Sequence, residues 1–135
     1  MKYLALFWLC CTTMATNAAD WKVYHTGKSV VIYYKYQDCH SDAKGIHQQK
    51  ILFAFENLTD KKIAINFGKE MTYTNSPKIV ADKNLFSVVL NPKQRTQADC
   101  ETKDRSLYIF AKQLNVPSGE LKKFDLKNIT VKTIQ

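Results

Sequence analysis

The chain has 135 residues, of which 45% are hydrophobic, and it carries 20 Lys and Arg against 12 Asp and Glu, a formal net charge of +8. This length leaves room for one domain with a modest core. The basic residues are dispersed lysines with only two arginines, unlike the organised Arg-rich patches of specific nucleic-acid readers, so no specific nucleic-acid partner is expected. The charge is consistent with an anionic partner or with an ordinary lysine-rich surface.

The first segment along the chain is typical of a secretory signal peptide. Lys2 provides a positive start, residues 3–11 form an apolar run, and small residues then lead to Ala18 and Ala19. A run of about 9 residues is too short to span a bilayer, so no transmembrane segment is expected. We predict cleavage after Ala18 or Ala19, with lipidation at Cys10 or its neighbour as the alternative.

Cleavage there divides the chain into a signal peptide, residues 1–19, and a domain, residues 20–135. Removing 19 of the 135 residues leaves 116, and the loss of Lys2 lowers the net charge from +8 to +7. The domain keeps two cysteines, Cys39 and Cys100. An even number of cysteines in an exported chain predicts a disulfide, which here would stabilise the fold by about 4 kcal/mol in the chain-entropy model.

Short runs of β-branched and aromatic residues, separated by turn signals, follow along the domain. The predicted strands are residues 23–25, 30–36, 48–57, 61–67, 71–73, 85–90, 106–111 and 121–134. The polar stretches 37–45 and 91–104 are predicted loops that carry Cys39 and Cys100. A phase shift in the last strand predicts a β-bulge near Lys127.

Three further predictions concern how these strands pair and pack. Residues 48–57 and 61–67 alternate cleanly around a tight connection, which predicts a hairpin. Residues 85–90 are apolar on both parities, which predicts burial on both faces. Residues 71–73 are predicted to be a short edge strand.

The pattern as a whole predicts an all-β protein. No segment of 11 or more residues has helical periodicity, and about 7–8 strands favour an immunoglobulin-like β-sandwich with one disulfide over a closed barrel. Trp21 precedes both cysteines, whereas the buried Trp of immunoglobulin domains lies between them. We therefore expect the disulfide to join loops at one end of the sandwich.

Residues 31–67 read VIYYKYQDCHSDAKGIHQQKILFAFENLTDKKIAINF. This order of an aromatic strand, an Asp-Cys turn, a Gly-Ile entry into a long strand and Asn-x-Thr-Asp resembles small secreted β-sandwich proteins of the flavobacterial type. The later Asp99-Cys100 and the strand LYIF fit the same pattern. The resemblance implies a sandwich in the periplasm or at the cell surface, and it transfers no active site.

The densest polar cluster is residues 38–42, with His47 close by in sequence. His40, His47 and a carboxylate are residue types that bind Zn²⁺ or Cu²⁺. The spacing matches no strong motif, and a bridged Cys39 cannot act as a ligand. We therefore expect no metal and no cofactor, and keep His40 and His47 as weak metal candidates beside the alternative of a solvated loop.

A second candidate is the aromatic and basic run Tyr33, Tyr34, Lys35 and Tyr36. Tyr33 and Lys35 share one parity, and Tyr34 and Tyr36 share the other, so one set faces the core and the other forms an exposed strip. An exposed strip of this composition is suited to a glycan or polyanion, although exposed tyrosines on sheets are common without a function.

The function classes follow from these features. No nucleophile motif is present, so no catalytic residue is assigned and no enzyme is expected. We expect a non-enzymatic secreted or periplasmic binding module, a monomer or weak dimer, whose partner is an unknown protein or an anionic glycan or other envelope component. A metal-binding periplasmic protein, a polyanion or glycan binder, and a small inhibitor or immunity protein are the alternatives.

Two Asn-x-Thr sequons, the acceptor motif for N-glycosylation, begin at Asn57 and Asn128.

Overall fold

The computed structural model describes residues 20–135, so the predicted signal peptide, its cleavage site and the lipidation alternative lie outside the described residues. These described residues contain eight strands: β1 (Lys22–Thr26), β2 (Val30–Ser41), β3 (Ile46–Asn57), β4 (Ile63–Tyr73), β5 (Val80–Leu90), β6 (Arg95–Gln97), β7 (Tyr108–Gln113) and β8 (Leu121–Thr133). Within this part of the chain, no helix has the length and apolar character needed to cross a membrane.

The strands form two antiparallel sheets. The larger sheet has the order β1-β2-β3, and both β6 and β7 pair with the far edge of β3, one after the other along its length. The smaller sheet has the order β5-β4-β8. The two sheets and the disulfide between Cys39 and Cys100 confirm the predicted all-β sandwich.

The core lies between the two sheets and takes alternate residues from β2, β3, β4 and β5, with one residue each from β7 and β8. Its buried side chains are Val30, Ile32, Ile51, Phe53, Phe55, Ile63, Ile65, Phe67, Phe86, Val88, Leu90, Ile109 and Leu126. Phe55 stacks on Phe67 with ring centroids 5.6 Å apart, and Phe67 stacks on Phe86 at 5.9 Å. Burying each such ring stabilises the fold by about 1.5–3 kcal/mol, so this aromatic row is a main contact between the sheets.

The predicted hairpin between residues 48–57 and 61–67 is wrong. β3 pairs with β2, β6 and β7, whereas β4 pairs with β5 and β8, so the short connection crosses from one sheet to the other. Alternation predicts which face of a strand is buried but not which strand pairs with it.

Asn57 fixes this crossing. Its buried side chain donates from Nδ2 to the carbonyl oxygens of Lys61, at 2.7 Å, and Asn91, at 2.9 Å. Its Oδ1 accepts from both the backbone N–H and the hydroxyl of Thr59. The first sequon is therefore a hydrogen-bonding centre of the fold, with both amide protons of Asn57 already in use.

The predicted loop over residues 37–45 is also wrong. β2 continues to Ser41 and pairs residue by residue with the start of β3, so Cys39 lies in a strand. A 3₁₀ turn over Asp42–Lys44 joins the two strands, and Gly45 adopts a left-handed φ of 63° that favours glycine. The sequence does not predict this extension, because its side chains are mostly polar and show no alternation of apolar and polar residues.

Two predictions for the smaller sheet change as well. Residues 71–73 are not a separate edge strand but the end of β4, the central strand of its sheet. β5 is not buried on both faces, because Leu85 is 71% exposed and Val89 is 50% exposed. The predicted bulge in β8 is confirmed: the pairing with β4 shifts register here, and Asn128 has a φ of 53°.

A buried lysine extends from the smaller sheet into the sandwich. Lys69 is only 4% exposed, and its Nζ donates to the carbonyl oxygens of Arg105 and Tyr108. The same Nζ lies 4.1 Å from the centroid of the Phe86 ring. Desolvation by burial lowers the pKa of Lys69 to about 8, although the nearby Asp82 carboxylate acts in the opposite direction. This ammonium group links β4 to the start of β7.

Candidate functional site

The connection between β6 and β7, residues 98–107, forms a loop that covers part of the outer face of the larger sheet. The disulfide between Cys39 and Cys100 holds this loop against β2, and the backbone N–H of Ala98 donates to the carbonyl of Phe53 at 3.0 Å. Leu52, which points away from the inter-sheet core, is only 1% exposed. The larger sheet is thus buried on both sides where the loop crosses it.

Beside the loop lies a cluster that we call the aromatic–basic cluster: Trp21, Tyr33, Lys35, Glu56 and Arg95. The Lys35 Nζ lies 4.8 Å from the centroid of the Trp21 ring. The Arg95 guanidinium lies 4.4 Å from the Tyr33 ring centroid and 5.9 Å from that of Trp21. Contacts of this kind attract a cation to a ring face, so the cluster presents two cationic groups in defined positions.

Glu56 organises the cluster from β3. The Tyr33 hydroxyl donates to Glu56 Oε2 at 3.0 Å, and an Arg95 nitrogen lies 3.7 Å from the same oxygen. Burial and then the hydrogen bond and charge of Glu56 raise the pKa of Tyr33, and Arg95 opposes this effect. The phenol therefore stays a neutral donor at physiological pH, and its ring is held in place.

Two recesses lie on either side of Cys100. The first, of about 300 Å³, lies beside the disulfide and includes Lys44, Lys50 and Lys103 among its lining residues. The second, of about 390 Å³, lies between the loop and the cluster and is lined in part by Lys35. The acidic residues lining the two recesses are Asp99 and Glu101. Four lysines thus line these recesses against two acids, so this face attracts anions.

Lys50 connects the first recess to the sheet. Its Nζ lies 4.7 Å from the centroid of the Tyr108 ring and 3.5 Å from the carbonyl oxygen of Cys100. A lysine over an aromatic ring therefore occurs on both sides of the loop, in one case with Tyr108 and in the other with Trp21. The pattern pairs an apolar surface with a cation, an arrangement suited to ligands that carry both kinds of group.

The structure divides the candidate run of aromatic residues between two faces. Tyr33 and Lys35 lie in the outer cluster. Tyr34 packs against the core, with its ring centroid 5.5 Å from that of Phe124. Tyr36 shares the parity of Tyr34 but is 50% exposed. The four residues therefore do not form one surface.

The two candidate histidines are brought together at the tip of the β2–β3 hairpin. His40 and His47 lie directly opposite each other in the register, with their Nδ1 atoms 2.8 Å apart. The Nε2 of His47 lies 3.6 Å from Asp42 Oδ1. Across residues 20–135, no group of three or more His, Cys, Asp or Glu side chains is placed to hold a metal ion.

Comparison with protein-family models, with curated proteins and with solved structures found no match to this chain. The resemblance to secreted flavobacterial-type proteins therefore stays a prediction.

Sequence reasoning missed three members of the aromatic–basic cluster. Trp21 precedes the first strand, Glu56 lies near the end of β3, and Arg95 begins β6. The available signal was the parity of Glu56, which is opposite to that of the core residues of β3. Nothing in the local sequence placed Trp21 or Arg95 beside it, because that proximity comes from strand pairing.

Proposed function

We propose that this protein is a non-enzymatic binding module of an extracytoplasmic compartment, and that the outer face of its larger sheet binds an anionic glycan. The observation that carries the proposal is the concentration of lysines around aromatic rings on that face, held by the disulfide-anchored loop. The disulfide also supports an oxidising compartment, where such bonds persist.

The ligand class follows from the chemistry of the face. Aromatic side chains provide apolar surfaces with a polar rim, which suit the C–H faces of sugar rings. The lysines add point charges for carboxylate or sulfate groups. Lys35 and Trp21 supply both features within one contact. A repeating chain is favoured over a small ligand because the two recesses are shallow and lie side by side along the loop.

The face is also preorganised. Tyr33 and Arg95 are already fixed by Glu56, and the loop is tied to β2 by a covalent bond. Ordering of side chains on binding is a major cost of association, and groups already held in place reduce it. Glu56 limits the net charge of the cluster, so the lysines of the two recesses provide most of the attraction for an anion.

The test compares two variants of equal charge. Lys35→Gln/Lys50→Gln removes two lysines from the proposed face, and Lys122→Gln/Lys132→Gln removes two exposed lysines from β8. Binding is measured by calorimetry with heparin, polygalacturonate and neutral dextran over a range of NaCl concentrations. We expect binding to a charged polymer that weakens with salt, at least a tenfold loss in the first variant and less than a twofold loss in the second.

Equal losses in the two variants would indicate general cation exchange and contradict the proposed face. Absence of binding to either charged polymer would contradict the ligand class. Trp21→Ala gives a further check: we expect it to weaken binding by a factor that persists at high salt, since contact between a ring and a sugar is not screened by ions.

A further inference from the structure

We propose that His40 and His47 form a two-imidazole site for Cu²⁺ at the tip of the β2–β3 hairpin. The proposal does not depend on the glycan-binding function, although His40 also lines the first recess. It rests on the position of the two rings, on the distance between their nitrogens and on the carboxylate of Asp42.

The backbone brings the two imidazoles together. His40 and His47 are partners in an unbroken antiparallel ladder that runs from Val30 paired with Asn57 to Ser41 paired with Ile46. Cross-strand partners have Cβ atoms about 4.5–5.5 Å apart, so both side chains leave the same face at close range. Their ring centroids lie 5.1 Å apart and the rings are tilted by 50°.

The nitrogen spacing brings both rings within reach of one ion. The two Nδ1 atoms are 2.8 Å apart, the distance of a hydrogen-bonded pair. With metal–nitrogen bonds of about 2.0–2.1 Å, two ligand nitrogens of one ion lie about 2.9–3.3 Å apart. A small separation and rotation of the rings therefore suffices for both nitrogens to bind the same ion. Sites of this kind hold Cu²⁺ more tightly than Zn²⁺.

Asp42 adds a negative charge beside the pair. Its carboxylate Oδ1 lies 3.6 Å from Nε2 of His47, which attracts a cation to the tip of the hairpin. Both rings bind Cu²⁺ as neutral imidazoles through Nδ1, so a proton on Nδ1 is displaced to Nε2 or to solvent when the ion binds.

The site has two protein ligands and remains open. No third side chain of the usual ligating types converges here within the described part of the chain, and His40 is exposed. Water or a small ligand therefore completes the coordination of the ion. With Cys39 and Cys100 joined in the disulfide, no described thiolate competes for the ion.

The test uses untagged protein purified from an oxidising compartment with its disulfide intact, titrated with Cu²⁺ and separately with Zn²⁺. The variants are His40→Gln and His47→Gln, and His25→Gln on β1 is the matched control because it removes the remaining histidine. We expect one Cu²⁺ per chain, at least a tenfold loss of affinity in each hairpin variant, and less than a twofold change in the control. Cu²⁺ should bind at least tenfold more tightly than Zn²⁺.

Two further measurements separate a local site from a folding effect. Electron paramagnetic resonance of the Cu²⁺ complex should show two coordinated imidazole nitrogens, and the melting temperature of each metal-free variant should stay close to that of the parent. Asp42→Asn should weaken binding severalfold, whereas Asp38→Asn on the same hairpin should not. Unchanged affinity in the hairpin variants, or an equal loss in His25→Gln, would overturn the proposal.

Discussion

The two sheets of this sandwich differ most on the faces that point away from the core. On the larger sheet, Leu52 points outward and is still only 1% exposed, because the loop carrying Cys100 returns across it. On the smaller sheet, Leu85 points outward and is 71% exposed. Burial of an outward-facing residue therefore depends on a distant segment that folds back over the strand.

The candidate binding surface lies on the covered outer face of the larger sheet. The covered face has recesses where the returning loop meets the sheet, and its lysines and aromatic rings gather along their borders. The described outer face of the smaller sheet has exposed apolar residues such as Val89 on the edge strand β5. By holding the loop against the larger sheet, the disulfide gives that sheet's outer face its recesses.

The strongest test of the comparison removes the disulfide. Replacing Cys39 and Cys100 by Ser should lower the free energy of unfolding by about 4 kcal/mol, since the bridge closes a loop with a sequence separation of 61. Urea unfolding of the oxidised and substituted proteins measures the change. Amide exchange should accelerate at Ala98, which bonds to β3, more than at amides within β4. A loss below about 1 kcal/mol would mean that the loop packs without its bridge.

A matched pair of leucines tests burial itself. Leu52→Ala should lower the free energy of unfolding by about 3 kcal/mol, because it leaves a cavity under the loop. Leu85→Ala makes the same chemical change on an exposed face and should stay within about 0.5 kcal/mol. Denaturant unfolding of both variants measures the contrast. Similar losses would show that the two outer faces do not differ as described.

The smallest expected effect concerns the buried ammonium group that joins the sheets. The folded protein loses the Lys69 proton near pH 8, and the unfolded chain keeps it to about pH 10.5. Between these values the unfolded state binds more protons, so the free energy of unfolding should rise with pH, by about 2 kcal/mol from pH 8 to pH 10.

Lys69→Met is the reference for this effect because it removes the titrating group but leaves the tyrosines and other lysines. The difference in unfolding free energy between the two proteins, followed by urea unfolding at several pH values, isolates Lys69. A difference that stays constant from pH 8 to pH 10 would show that the two carbonyl bonds and the Phe86 ring keep the pKa near its ordinary value.

The sequence predicts part of the candidate site, as particular pairs of residues show. The opposite parities of Tyr33 and Tyr34 follow from strand alternation, and the structure places them on opposite faces as expected. The contact between Tyr33 and Arg95 does not follow, because it requires β6 to pair with β3. The pairing of His40 with His47 could not be predicted either, because residues 37–45 were predicted to be a loop. The register of β2 against β3 places the two histidines opposite each other.

The sequence by itself determined the all-β class, the alternation of β3 and β4, the bulge in β8 and the two cysteines that bond. These features depend on local alternation and on residue counts, which are properties of short segments. Only the tertiary structure decided that β3 and β4 separate into different sheets, that the outer face of β3 is covered and that of β5 is bare, and that Trp21 meets Arg95. Those outcomes depend on which distant segments meet, and identical apolar patterns allow more than one answer.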